Sequence, residues 1–131
     1  MKKVTSIAAA AVSLMLLAGC AKSPSSIAPV AVASAEYDHL ECDKMVAEQQ
    51  DIKLNLMDAS RRQNNAQAAD AAMVFLVLVP ASALVGDAEG EVAQYKGELL
   101  AVERAMSRRG CDYTPVDVAT SVADTEEPSI H

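Results

Sequence analysis

Three cysteines and two histidines are the side chains of this 131-residue chain best suited to covalent or metal chemistry, and their positions leave little material for either. His39 stands among Asp38, Glu41 and Cys42. Positions three and four apart share one face of a helix, which is the spacing a ligand set needs. A helix-capping role for Asp38 and Glu41, set out below, accounts for the same residues without an ion. His131 is the last residue of an acidic stretch, so a Ser/His/Asp or Cys/His relay has almost nothing to be built from. Gly86, Gly90 and Gly97 are not followed by the Gly-Lys-Ser/Thr of a phosphate loop. The carboxylates spread over helix faces as a solvated surface does. These observations predict a protein without catalytic residues, cofactor or metal.

The leading segment has the parts of an export signal: Lys2 and Lys3, an uncharged run from Ile7 to Leu17, then the small residues Ala18 and Gly19. The run is 11 residues long, well short of the roughly 20 that span a bilayer as a helix. Leu17-Ala18-Gly19-Cys20 resembles the lipobox of bacterial lipoproteins. That resemblance implies cleavage before Cys20, removal of residues 1–19, and a diacylglyceryl thioether with further acylation on Cys20. An ordinary cleavage site with a chance cysteine is the alternative. Each buried acyl methylene contributes roughly 0.8 kcal/mol, and two or three chains on one residue give a durable anchor where a single chain does not. Ala21, rather than an aspartate, follows the cysteine, and the resemblance to bacterial lipoproteins then implies the outer membrane over the inner. The expected location is the cell envelope, lipid-anchored and facing the periplasm.

Removing Lys2 and Lys3 leaves 9 basic against 18 acidic residues, a net charge of −9. So acidic a chain is ill suited to a phosphate backbone, and nucleic acid is not an expected partner. Once lipid takes Cys20, the two remaining cysteines, Cys42 and Cys111, are an even number in an oxidising compartment, and they are expected to pair. Two free thiols or a bond between chains are the alternatives.

Residues 20–36 read as the lipidated cysteine and a flexible tether, rich in Ala, Ser and Pro and stiffened by Pro24 and Pro29. At Tyr37 the composition changes. Asp38-His39-Leu40-Glu41 matches a capping box and predicts that a helix begins there. Cys42, Met45, Gln49, Ile52, Leu56, Ala59, Gln63 and Ala66 then alternate at spacings of three and four, a stripe along one face. Asn64 and Asn65 make a break possible near them. A second stripe, Ala88, Val92, Tyr95, Leu99, Val102 and Met106, follows Asp87 as a cap and ends at Arg108, Arg109 and Gly110. Gly97 lies inside that helix, where close approach of the facing helix explains it. Asp112 to His131 holds five acids and no basic residue, and reads as a disordered tail.

The fold expected is all-α: an antiparallel two-helix hairpin over 37–111, closed at its base by the disulfide, between a disordered N-terminal tether and a C-terminal tail over 112–131. Its tip is the uncharged segment Ala71 to Val85, with Phe75, Leu76, Leu78, Pro80 and Leu84 as candidate contacts. A turn this apolar is expected to meet something. The first reading is an envelope protein partner or a second copy of the chain. The alternatives are a re-entrant, lipid-contacting element, against which the missing flanking Lys, Arg and Trp count, a tip that packs on itself or folds back along the hairpin, and a periplasmic carrier of a small ligand or metal.

The lipobox, Tyr37-Asp38, Leu40 to Cys42, Val79-Pro80, Lys96-Gly97-Glu98 and Cys111 together resemble small proteobacterial lipoproteins of uncharacterised function. The resemblance covers roughly Tyr37 to Cys111 and implies the envelope address without an activity.

Overall fold

A computed structural model of the chain describes residues 21–77 and 88–118, with the side chains of 73–77 excepted. Two helices dominate: α1, Cys42–Val77, and α2, Glu89–Arg109. At 36 and 21 residues they are about 54 and 32 Å long. The chain pairs Cys42 with Cys111, Gln49 with Glu103, and Arg62 with Glu91. As one number rises the other falls, so the helices are antiparallel. Met45, Ile52, Leu56 and Ala59 of α1 close on Val92, Leu99, Val102 and Met106 of α2 to form the core. Both stripes read from the sequence are therefore buried, apart from their partly exposed or exposed members Cys42, Ala66 and Tyr95.

The ends of the helices follow local chemistry. Gly110 takes the left-handed conformation at φ 70°, and its amide and that of Cys111 return to the carbonyls of Ser107 and Met106. Arg108 and Arg109 fill the last turn, where cations meet the negative end of the helix dipole. The start of α1 differs from the capping-box expectation. Asp38 ends a 3-10 turn over Ser34–Tyr37, and α1 begins at Cys42, with the Met45 amide bonded to the Glu41 carbonyl. The Asp38 carboxylate is taken instead by Arg108 at 2.5 Å, while Arg109 binds the Asp38 and Leu40 carbonyls. No break occurs at Asn64 and Asn65; α1 continues through both. The cap of α2 is Ala88, with no side-chain cap bond; Asp87 lies outside the described residues.

The segment expected as a free tether is part of the fold. Residues 21–37 form an arm that lies on the hairpin, with Ala21, Pro24 and Ile27 buried. Lys22 pairs with Glu89 near the start of α2, and Ser34 meets Arg108 near its end. The arm thus runs parallel to α2, twelve residues following about 28 Å of helix. Composition suggested a tether because few arm side chains are large. What docks it is mainly backbone hydrogen bonding, which leaves no mark on composition. The first residues of the expected tail are also held: Tyr113, Val116 and Val118 pack against the core.

Candidate functional site: the arm cradle and the anchored end

Five helix positions, Lys96, Gly97, Ala93, Gln63 and Asp70, build the cradle that holds the arm. Lys96, 3% exposed, donates from Nζ to the Pro24 carbonyl at 2.6 Å and the Ile27 carbonyl at 2.7 Å. Burial pushes its ammonium down from the ordinary lysine range. Beside it, Gly97 presents bare backbone: a Cβ there would overlap the Val30 carbonyl oxygen and lie 3.0 Å from Val30 Cγ2. The glycine does serve a close approach, as its position suggested, but the arm makes it rather than the facing helix. One turn earlier, the Ala93 carbonyl accepts the Val30 amide at 3.0 Å.

Gln63 joins three elements at once. Its Nε2 donates to the Lys22 carbonyl at 2.9 Å, and its Oε1 accepts from the Ala88 amide at 2.7 Å. An α1 side chain therefore fixes both the arm and the entry to α2. Two turns further along α1, Asp70 is 1% exposed and its carboxylate accepts the Ala21 amide at 2.6 Å. Gln49 acts on the other side of the domain, donating to Glu103 at 2.7 Å and to the Thr114 carbonyl at 3.1 Å. The same Glu103 oxygen accepts the Val116 amide. The two glutamines that thin the apolar seam are thus the residues that hold the flanking segments.

Sequence reasoning placed Gln49 and Gln63 on the inward stripe without giving them work, and it missed Lys96 and Asp70 as buried charges. One signal was present: Lys96-Gly97 sets a donor beside a gap in the side-chain surface, the pattern needed where a main chain must come close. Cys42 and Cys111 are brought together, with Cα atoms 5.5 Å apart and a disulfide between them, inside the usual range. Cys20 lies outside the described residues. Phe75 and Leu76 belong to the last turns of α1, with side chains outside the description, and Leu78, Pro80 and Leu84 lie outside it entirely. Of the residues near His39, Asp38 pairs with Arg108 and Cys42 is in the disulfide. Among the described residues no group of three or more His, Cys, Asp or Glu converges, and no helix is long and apolar enough to cross a membrane.

The cradle also fixes where the arm enters the domain. Ala21, its first described residue, is held at Asp70, towards the far end of α1. The disulfide is at the other end: Cys42 and Asp70 are 28 residues apart in one helix, about 42 Å. Ala71 and Ala72, the first residues of the uncharged segment, are exposed beside the entry point. No protein-family model, curated protein or solved structure matches this chain.

Proposed function

We propose that this chain is an envelope lipoprotein with a structural, non-enzymatic role, anchored through lipid on Cys20, facing the periplasm and seated on the outer membrane. In this reading the helical domain lies against the bilayer rather than far from it, and the apolar segment Ala71 to Val85 contacts lipid. One observation carries the reading: the Ala21 amide bonded to buried Asp70. It joins the acylated residue to the end of α1 where the uncharged segment begins. A free tether would have let the tip point anywhere. A docked arm gives the anchor and the apolar segment the same address, and lipid is then the nearest apolar phase. The buried polar side chains Gln49, Gln63, Lys96 and Asp70 are engaged in fastening segments, which suits a structural part.

Mass spectrometry of the protein extracted from envelopes tests the anchor. A product lacking residues 1–19 and carrying acyl mass on Cys20 is expected; an uncut or unmodified leading residue overturns the proposal. Flotation of the mature Cys20→Ala protein with vesicles tests the second contact. Partial flotation is expected, and sedimentation of all protein away from lipid removes that part of the reading.

A further inference from the structure

We propose that the first part of the arm, residues 21–33, is a reversible strap that docks and releases as a unit from a hairpin that stays folded. The inference rests on lipid attachment at Cys20 for its consequence, since the strap then sets how far the domain stands from its anchor.

The hairpin has its own closure. Among the described residues nine of the ten that form its core lie on α1 and α2, Ile27 of the arm being the tenth, and the disulfide joins the helix ends. The arm adds three buried residues, Ala21, Pro24 and Ile27, while Ser25, Ser26, Ala28, Pro29, Val30 and Ala31 remain exposed. Besides the exposed Lys22–Glu89 ion pair, its other fastenings are hydrogen bonds to main-chain atoms: Lys96 to two carbonyls, Gln63 to one, and the amides of Ala21 and Val30 to Asp70 and Ala93. Two of these come from the Lys96 ammonium, whose acceptors both lie on the arm. On release that ammonium regains hydration, which offsets the bonds it loses. Docking is therefore the small difference between opposing terms, the condition under which a segment opens separately from the rest of a domain.

Release also changes reach. The 13 residues from Ala21 to Ala33 span at most about 43–47 Å when extended. Docked, they hold the Asp70 end of α1 beside the anchor; released, they let the whole hairpin move several nanometres from the bilayer.

Native-state hydrogen exchange on the mature lipidated protein in vesicles reads this directly. The amides of Ala21 and Val30 are expected to exchange at one common rate, at least about tenfold faster than those of Leu56 and Leu99. Gly97→Ala drives a methyl group into the Val30 carbonyl, and Ile27→Ala removes the largest buried side chain of the arm. Each should speed arm exchange about tenfold or more and leave helix exchange unchanged. Arm and helix amides exchanging together in the wild type, or accelerating equally in both variants, overturns the strap. That result leaves the lipid anchor standing, whereas an unacylated Cys20 removes the anchor and leaves the exchange result intact.

Discussion

Removing the Cys42–Cys111 bond by the double substitution Cys42→Ala, Cys111→Ala should cost a large share of the domain's stability. The bridge joins residues 69 positions apart, and a crosslink closing a loop of that size restricts the unfolded chain by on the order of 4 kcal/mol. The contacts around it cannot substitute. Arg108 and Asp38 are about half exposed, and a pair of that kind contributes at most about 1 kcal/mol. Against a total of about 5–15 kcal/mol for a small domain, the loss lowers the melting temperature by roughly 15–30 °C. The assay is urea and thermal unfolding followed by far-ultraviolet circular dichroism, with the wild type measured with and without reductant. Reduced wild type and the double variant should coincide. A loss below about 1 kcal/mol would refute the reasoning, because it would mean that the bridge leaves the unfolded chain almost as free as before.

Further substitutions probe the interior. Ser60 is fully buried and its hydroxyl has no hydrogen-bond partner among the described residues, so Ser60→Ala should stabilise the domain by about 1 kcal/mol in urea unfolding. Gln63→Ala frees the Lys22 carbonyl and the Ala88 amide together and should cost about 1–3 kcal/mol by the same measurement. Tyr37, pushed up to about 12 by burial and then by Glu98, Glu48 and Glu36, keeps its proton when folded after the unfolded chain has lost it near pH 10. Its contribution is therefore present below about pH 10 and lost as pH rises towards about 12. Tyr37→Phe should remove that alkaline loss, seen as a flatter dependence of the urea midpoint on pH than in the wild type. Lys96 is unchanged between the two proteins, so its own alkaline slope cancels in the comparison.

The hairpin was legible because each of its determinants is local. Apolar spacing of three and four marked Met45, Ile52 and Leu56 on one helix and Val92, Leu99 and Met106 on the other. Arg108, Arg109, Gly110 and Cys111 marked the end of α2 and the base. The arm was not legible, because Ala, Ser and Pro carry no periodic pattern and its docking is made from carbonyls and amides that every residue has. Buried Lys96 illustrates the difficulty: as a lysine it reads as a surface residue, and only the carbonyls of Pro24 and Ile27, some 70 positions away, allow it inside. The capping box failed for a related reason. Asp38 had a stronger partner in Arg108, also 70 positions away, and a pattern four residues long cannot register that competition.

The most direct test is depth-dependent fluorescence quenching on the lipidated protein in vesicles. A probe replaces Ala72 in one sample and Asp43 in another, both exposed sites on α1 and about 44 Å apart along it. Quenchers attached to lipid headgroups should dim the probe at position 72 strongly and leave the probe at 43 nearly unaffected. Equal quenching at both sites, or stronger quenching at 43, would contradict the placement of the anchor at the Asp70 end.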